Sequence, residues 1–236
     1  MSSSRLPAFF DKAQAATYDE RFAKLAPMRD AIHLITAAAF SELPAQARVL
    51  CVGAGTGSEI LFLARKFPGW RFTAVEPAEA MLEICKRRAA EEGIVDRCTF
   101  HEGYLDTLPL MEEFHAATSI LVSQFILDPC ARRDFFTGIA ARLLPGGPLV
   151  SADLSADRSS AEGQDIFEMW LRLLGSTDMP PEQLAQMRVA YEGHVAIAAP
   201  AEVEALITTG GFEPPLAILQ TLLIRTWFAR RAESIS

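Results

Sequence analysis

The amino-acid sequence predicts an α/β fold: a mostly parallel, seven-stranded sheet with helices on both faces and an antiparallel hairpin near its C-terminal end. Strand-like and helix-like segments alternate through the middle of the chain, which is the pattern of a parallel sheet covered by helices. A short apolar run, residues 49–52, leads into three alternating glycines and then into a helical pattern. Two late apolar segments lie so close together in sequence that they favour a hairpin.

We expect the chain to form one domain. The amphipathic segment at about 7–43 predicts N-terminal helices, interrupted at Pro27, that cover one side of the sheet. A second helical stretch follows the fifth strand and is best placed as an insertion over the site. Within the domain, 1–236, the predicted parts are an N-terminal helical cover (1–44), a core (45–157), a helical insertion that serves as a lid or a dimer element (158–199), and a C-terminal helix with the hairpin (200–236).

The element boundaries follow local signals. Short apolar runs bounded by turn residues predict the strands, and apolar residues at helical spacing predict the helices. A Pro-Gly-Gly sequence at 145–147 stops the last core helix. The predicted strands are 48–52, 71–75, 97–101, 115–122, 147–153, 212–220 and 222–230. The predicted helices are 58–67, 78–92, 130–144, 158–192 with an interruption at 175–181, and 200–209.

The charge, the apolar runs and the cysteine spacing of the chain indicate which kinds of partner it can bind. The chain has 236 residues and a net charge of −8, which argues against broad contact with nucleic acid because such contact needs clustered Lys and Arg. No apolar run is long enough to cross a membrane, and the N-terminus has no stretch like a signal peptide, so we expect a cytoplasmic protein without membrane contact. The four cysteines show no C-x₂-C spacing, so no metal site is predicted.

The glycine-rich segment carries the chemistry. Gly53, Gly55 and Gly57 stand between an apolar strand and a helix start. Glycine permits positive φ and a close approach of backbone to ligand, and the following helix offers free N–H groups. Such a turn holds nucleotide-like molecules at the carboxyl edge of a parallel sheet. The G-x-G-x-x-G/A fingerprint of dinucleotide-binding proteins would need Gly or Ala at the position of Ser58, so it is not matched. Glu76 ends the next strand roughly 20 residues beyond the loop, at the position where an acid usually binds ribose hydroxyls.

Three segments then occur in a specific order: VLCVGAGTG at 49–57, AVEPAEAML at 74–82 and LLPGGPLV at 143–150. Over roughly residues 45–155 the chain is similar to the class I S-adenosylmethionine (SAM)-dependent methyltransferases. This resemblance implies a Rossmann-like sheet, SAM as the cofactor with S-adenosylhomocysteine (SAH) as its product, and in-line transfer of a methyl group. The acidic charge and the aromatic-bearing insertion favour a small molecule over nucleic acid as the acceptor.

The same resemblance implies which residues contact the cofactor. The glycine loop would wrap the methionine part of SAM, Glu76 would accept hydrogen bonds from the ribose diol, and Met81 would lie under the adenine. The residues after the third and fourth strands would border the purine and the methyl group. The full set implied is Gly53, Ala54, Gly55, Gly57, Glu76, Pro77, Met81, Gly103, Tyr104, Leu105, Val122 and Ser123.

Three positions depart from the family pattern. An acid is usual where this chain has Cys51, an aspartate on the adenine side where it has Tyr104, and an aspartate at the fourth strand where it has His115. A hydrogen bond to a charged group is worth ~1.5–3 kcal/mol, so the loss of the first two acids would weaken SAM binding by roughly tenfold or more. Glu59 and Asp106 are the candidates to compensate.

Methyl transfer from a sulfonium depends chiefly on in-line positioning, and a general base is needed only when the acceptor has a proton to lose. The candidate bases are Tyr18, His33, Tyr191 and His194. Related enzymes often close an N-terminal tyrosine over SAM, which favours Tyr18, and Arg29 is a candidate partner for the methionine carboxylate. The substrate-side candidates are Tyr18, Arg29, Gln124, Trp170 and Arg188.

A closer resemblance links the chain to bacterial carboxy-SAM synthases, which decarboxylate prephenate and trap the carbon dioxide on SAM. It lies in residues 18–21 (YDER), 125–129 (FILDP) and 186–188 (QMR). It implies that Arg188 lies where those enzymes use an arginine to hold the added carboxylate. Since such relatives dimerise through the inserted helices, the apolar face of Phe167, Trp170 and Leu174 is interpreted either as a pocket wall or as a subunit interface.

The favoured function is therefore SAM-dependent methylation of a small molecule. Three alternatives stay open: a carboxy-SAM synthase acting on SAM and prephenate, an NAD-dependent oxidoreductase, and a SAM-binding protein without catalysis. The sequence does not identify the acceptor.

Overall fold

A computed structural model describes residues 23–110, 113–175 and 180–233 of the chain. Within these ranges seven strands form one sheet in the order β3-β2-β1-β4-β5-β7-β6. The first five strands pair in parallel, and the last two form an antiparallel hairpin that is attached to β5 through β7. The predicted sheet and hairpin are confirmed. The strands are β1 (Arg48–Val52), β2 (Arg71–Glu76), β3 (Cys98–Glu102), β4 (Ala116–Ile120), β5 (Pro148–Leu154), β6 (Leu216–Thr221) and β7 (Ile224–Arg230).

Helices cover both faces of this sheet. The first three pack their apolar residues on one face, whereas α4 and α7 pack on the other. The inserted pair, α5 and α6, lies with the start of α1 against the carboxyl end of β5. The helices are α1 (Ala26–Ala39), α2 (Ser58–Lys66), α3 (Glu79–Glu91), α4 (Pro129–Ala140), α5 (Ala161–Leu174), α6 (Pro181–His194) and α7 (Pro200–Thr209).

Pro27 lies in the first turn of α1, where the missing N–H costs nothing. The helix predicted before it falls mostly outside the described residues, so the interruption stays a prediction. Two predicted boundaries were wrong for identifiable reasons. Helix α4 ends at Ala140 because the chain then turns back and the Leu144 N–H donates to the Phe114 carbonyl. The sixth strand begins at Leu216 and not at 212, since the two prolines before it have no N–H for the ladder.

The inserted helices show where the apolar face of α5 goes. Phe167, Trp170 and Leu171 are buried against Leu25 and Ile32 within the same chain. This corrects the interpretation of that face as a subunit interface, because its large side chains already fill the core of the protein.

None of the helices in the described part of the chain is long and apolar enough to cross a membrane. Within residues 23–110, 113–175 and 180–233, no three His, Cys, Asp or Glu side chains come together as ligands for a metal ion.

Candidate functional site

The glycine loop lies at the carboxyl edge of the sheet, between β1 and α2. Strand β1 is flanked by β2 on one side and β4 on the other, so the connections leaving β1 and β4 diverge and open a crevice there. Gly53, Gly55 and Gly57 have φ angles of +70°, +55° and +81°, which is the left-handed region that side chains oppose. The loop is therefore glycine-rich because its backbone requires it.

The three glycines face different surroundings. A Cβ atom on Gly53 would lie 2.3 Å from Val122 Cγ2, and one on Gly57 would lie 2.5 Å from Cys85 Sγ. A Cβ on Gly55 would meet only Met81 Cε, at 3.7 Å. The outer two glycines are thus packed against the protein, whereas the middle one presents its backbone to open space beside Met81. That open side is the cradle that the loop offers to a ligand.

Glu76 connects this loop to the end of β2. Its Oε2 accepts a hydrogen bond from the Gly55 N–H, and its Oε1 accepts one from the Ala78 N–H, each at 2.9 Å. Burial raises the pKa of the Glu76 carboxyl, and the two backbone N–H groups oppose that rise. Because a carboxylate oxygen has more than one acceptor site, each oxygen keeps capacity for a further donor.

The loop after β3 lies next to Glu76. The Gly103 N–H donates to the Glu76 carbonyl at 3.2 Å, so the ends of β2 and β3 are joined. Tyr104 is 40% exposed at the rim, and Leu105 and Met81 are buried. Pro77, which follows Glu76 directly, is half-buried. Contact of these residues with a cofactor stays a prediction.

The loop after β4 lies on the other side of the crevice. Leu121 has φ +59°, rare for a residue with a side chain, and the next residue, Val122, packs on Gly53. The side chains that follow are turned into the protein. Ser123 Oγ donates to Asp153 Oδ1 at 2.8 Å, and Gln124 Oε1 accepts the Leu154 N–H at 3.0 Å. Val122 thus borders the crevice, whereas Ser123 and Gln124 connect it to β5.

A buried ion pair, which sequence reasoning missed, supports this loop. The Arg132 and Asp153 side chains are both at most 2% exposed, with Arg132 Nη2 3.3 Å from Asp153 Oδ1. Arg132 also donates to Ser123 Oγ and to the Ala196 carbonyl, at 2.9 and 3.1 Å. The pair therefore joins α4, β5 and the segment after α6. The available signal was a charged residue within the otherwise uncharged run that forms β5.

We expect Arg132→Gln to destabilise the protein by about 3–5 kcal/mol, because it leaves the Asp153 carboxylate buried without its cation. Arg133→Gln is the matched control on the same helix. Its side chain is exposed and pairs only with Asp134, so its cost stays below about 0.5 kcal/mol. Urea unfolding of both variants measures the difference. Equal free energies of unfolding would show that the ion pair does not hold this loop.

A second buried carboxyl, Glu59, lies beneath the glycine loop. Thr118 Oγ1 donates to its Oε1 at 2.8 Å, and the Cys51 thiol is a further hydrogen-bond partner. Burial raises the pKa of Glu59 to about 7. Asp106, the other candidate to compensate for the missing acids, is exposed after β3. The structure thus places Glu59, and not Asp106, beside Cys51.

The candidate bases in the described part of the chain lie on two different helices, His33 on α1 and Tyr191 and His194 on α6. His33 is buried beside the Phe62 ring, and burial together with Arg29 lowers its pKa to about 4. Burial raises the pKa of Tyr191, and His194 is exposed at the end of α6. At neutral pH neither His33 nor Tyr191 accepts a proton readily.

The remaining substrate-side candidates lie in different parts of the protein. Tyr18 lies outside the described residues. Trp170 is buried in the core, and Arg188 forms a two-pronged ion pair with Glu168 at 2.6 and 2.8 Å. Arg29 is partly exposed in the first turns of α1, with Nε 3.6 Å from Asp30. In the described part of the chain, the ion pair of Arg29 is with its neighbour on the same helix, whereas Arg188 is paired with a residue of another helix.

Comparison with known proteins identifies the kind of domain to which the crevice belongs. Residues 49–147 match the family model described as "Methyltransferase domain". Residues 49–147 thus correspond to a SAM-dependent methyltransferase domain. The matched range runs from β1 to the turn before β5, which includes the glycine loop, Glu76 and the loop after β4. The cofactor of such a domain is SAM.

Named relatives agree with this methyltransferase domain. Erythromycin 3''-O-methyltransferase of Saccharopolyspora erythraea is 33% identical over 149 residues, which are 63% of this chain and 44% of that protein. Carboxy-S-adenosyl-L-methionine synthase of Campylobacter hominis is 25% identical over 208 residues, 86% of each chain. The chain therefore spans less than half of the first relative and most of the second.

Solved structures share the fold of the methyltransferase domain. A putative O-methyltransferase from Nostoc punctiforme superposes with a TM-score of 0.65 at 19% identity, covering 89% of this chain and 58% of that one. Human N-acetylserotonin methyltransferase, solved in complex with SAM, superposes with a TM-score of 0.65 at 13% identity, covering 99% and 61%. At these identities the likeness concerns the fold.

The residues present fit SAM. The open side of Gly55 leaves room for a ligand against the backbone, where a side chain would otherwise stand. Glu76 has buried carboxylate oxygens with remaining acceptor capacity, which suits the two hydroxyl donors of a ribose. Met81 supplies an apolar surface beside them. The crevice of the methyltransferase domain thus offers acceptors, a backbone cradle and an apolar wall to a nucleoside.

Proposed function

We propose that the protein transfers the methyl group of SAM to a small-molecule acceptor. The observation that carries the proposal is the pairing of Glu76 with the glycine loop. The buried carboxylate accepts a hydrogen bond from the N–H of Gly55, the glycine of this loop whose outer side is open. SAM supplies a methyl group activated by its sulfonium. Glu76 would bind the ribose, the loop Gly53–Gly57 would hold the methionine end, and Met81 with Tyr104 would border the adenine.

The surroundings of the crevice support an apolar acceptor. Met28 at the start of α1, Leu121 after β4 and Leu222 in the hairpin turn are partly buried hydrophobic residues packed on one cluster at the carboxyl edge of the sheet. An apolar wall of this kind excludes water and orients an apolar molecule toward the cofactor. The net charge of −8 supports a small molecule over nucleic acid as the substrate.

In this reaction, correct positioning of the acceptor atom against the methyl group of SAM supplies the rate enhancement. Among the described candidates, burial lowers the pKa of His33, which makes it a weak base, and raises the pKa of Tyr191, which keeps its hydroxyl protonated at neutral pH. A rate enhancement by orientation alone is chemically sufficient when the acceptor atom already has a free electron pair. Arg29, at the start of α1, is the described cation that we propose for the methionine carboxylate.

Calorimetric titration with SAM and SAH, followed by mass spectrometry of reactions with a panel of apolar hydroxylated, amino and thiol acceptors, tests the proposed function. We expect micromolar binding of both nucleosides and a mass increase of about 14 Da, one CH₂ unit, in at least one acceptor class. Binding of NAD without binding of SAM would instead support the oxidoreductase alternative. SAM binding with no turnover across the panel would support a binding protein without catalysis.

One observation favours a second candidate, the synthesis of carboxy-SAM. The similarity to the Campylobacter hominis synthase extends over 86% of both chains. Against it, Arg188 is held by both oxygens of Glu168, so its charge is already compensated. We therefore rank methylation first. The mass of the nucleoside that co-purifies with the protein separates the two, since carboxy-SAM is heavier than SAM by the mass of carbon dioxide.

Homodimerisation through the helical insertion and a cytoplasmic location also remain proposals. Val189 on α6 is 68% exposed and offers an apolar contact outside the buried face of α5. Light scattering of the purified protein tests the dimer.

A further inference from the structure

The Glu59 side chain contacts the strand that leads into the glycine loop. Cys51 lies two residues before the loop, Glu59 lies two residues after it, and their side chains are in hydrogen-bond contact. Thr118, which pairs with Cys51 across β1 and β4, donates to the same carboxyl at 2.8 Å. The carboxyl is only 7% exposed. A buried acid thus joins the strand before the glycine loop to the helix after it, and the loop between them is the backbone that would hold the methionine end of the cofactor.

In the described part of the chain, the Glu59 carboxyl has two neutral hydrogen-bond partners, the Thr118 hydroxyl and the Cys51 thiol. The charged and titratable groups facing this region are Cys51 on β1, Glu76 at the end of β2, and Cys85 and Arg88 on α3. The Arg88 guanidinium donates to the Thr56 carbonyl and to Ser58 Oγ, at 3.2 Å each, and Glu76 is engaged with backbone N–H groups. Neither group forms a hydrogen bond with the Glu59 carboxyl among the contacts described for it.

Such a carboxyl is sensitive to any positive charge placed nearby. Burial makes its ionised form costly, and the hydroxyl and thiol contacts offset only part of that cost, so the pKa of Glu59 stands at about 7. A cation in the loop above would stabilise the ionised form, since an opposite charge at short range lowers the pKa of an acid. SAM carries two positive groups at its methionine end, the sulfonium and the ammonium.

We propose that Glu59 is the charge complement of the cofactor: it holds a proton in the cofactor-free protein and releases that proton to solvent when SAM binds. This inference rests on the proposed function, because it needs SAM in the glycine loop. Glu59 does not contact the cofactor in this proposal and is a positioning residue, since its ionised form favours a cation held by the loop. SAH lacks the sulfonium charge, so its binding releases a smaller fraction of the proton.

Calorimetry at pH 6.5 in two buffers of different ionisation enthalpy measures the proton directly. For the wild-type protein we expect up to one proton released per SAM bound and a smaller number per SAH. The SAM Kd should fall by up to about tenfold per pH unit as pH rises toward 7 and should level off above it, because proton loss then precedes binding. The amino group of the ligand titrates in the same way in every variant.

Glu59→Gln tests the residue. The amide keeps the size of the side chain and an acceptor for Thr118, but it has no proton to release. We expect proton release to be lost, the SAM Kd to become independent of pH in this window apart from the titration of the ligand, and SAM binding above pH 7.5 to weaken by about tenfold (one pKa unit of coupling). Glu91→Gln, at an exposed ion pair with Arg87 on α3, is the control and should behave like wild type.

The outcomes are distinguishable. A wild-type protein that binds SAM without releasing a proton overturns the inference and leaves the proposed function standing, and this measurement needs no variant. Undiminished proton release in a folded Glu59→Gln protein also overturns it. If the wild type binds neither SAM nor SAH at any pH, the proposed function fails, and the inference fails with it.

Discussion

Gly53→Ala will destabilise the protein by about 2–5 kcal/mol. A side chain at φ +70° costs roughly 1–2 kcal/mol in a left-handed conformation. The new Cβ would also lie 2.3 Å from Val122 Cγ2 and 3.0 Å from Cγ1, and overpacking of this kind adds about 1–3 kcal/mol. Urea unfolding measures the total. Movement of Val122 to relieve the clash would also displace the loop after β4, so SAM binding should weaken in the same variant.

Gly93→Ala is the matched control for this prediction. Gly93 has nearly the same φ, +67°, but a Cβ there meets no atom within 4 Å. Its cost should therefore be only the conformational term of about 1–2 kcal/mol. The difference between the two variants isolates the contact between the glycine loop and Val122. If the two substitutions lower the free energy of unfolding by the same amount, the glycine loop and the loop after β4 are not closely packed at Gly53.

Glu76→Gln will weaken SAM binding by about 10- to 100-fold. The carboxylate oxygens each accept a backbone N–H, so the NH₂ group of glutamine must face either Gly55 or Ala78, donor against donor. It also loses a charged acceptor for the ribose diol, and a hydrogen bond to a charged group is worth about 1.5–3 kcal/mol. Titration calorimetry gives the two dissociation constants.

Glu79→Gln, three residues further on and exposed at the start of α3, controls for a general loss of charge. It should bind SAM within about twofold of wild type, as surface substitutions do. Thermal unfolding of both variants shows whether either has lost its fold. Wild-type affinity in a folded Glu76→Gln protein would mean that Glu76 holds only the loop and not the cofactor.

Much of the core could be predicted because its signals are local. An apolar run followed by alternating glycines determines a strand, a turn with positive φ and a helix start, and these appear as β1, Gly53–Gly57 and α2. The two late apolar segments likewise form the predicted hairpin of β6 and β7. The cofactor-contact residues are still predictions, although Glu76, Gly103 and Val122 all lie around the same crevice.

The errors have a common origin in long-range contacts. The end of α4 depends on pairing between Leu144 and Phe114, which are far apart in sequence. The apolar face of α5 was open to two interpretations because its partners, Leu25 and Ile32 among them, come from the start of the chain. No local pattern marks Arg132 as the buried partner of Asp153.

The sequence by itself determined the fold class, the glycine loop and the acid at the end of β2, because each depends on residues adjacent in the chain and on the conformations that glycine allows. Only the tertiary structure decided what lies around that loop. It brought Val122 against Gly53, turned Ser123 and Gln124 inward to β5, and placed Glu59 under the loop beside Cys51 and Thr118. These placements depend on how strands β1, β4 and β5 lie side by side, which is decided by burial of the whole core and by the pairing of polar groups within it.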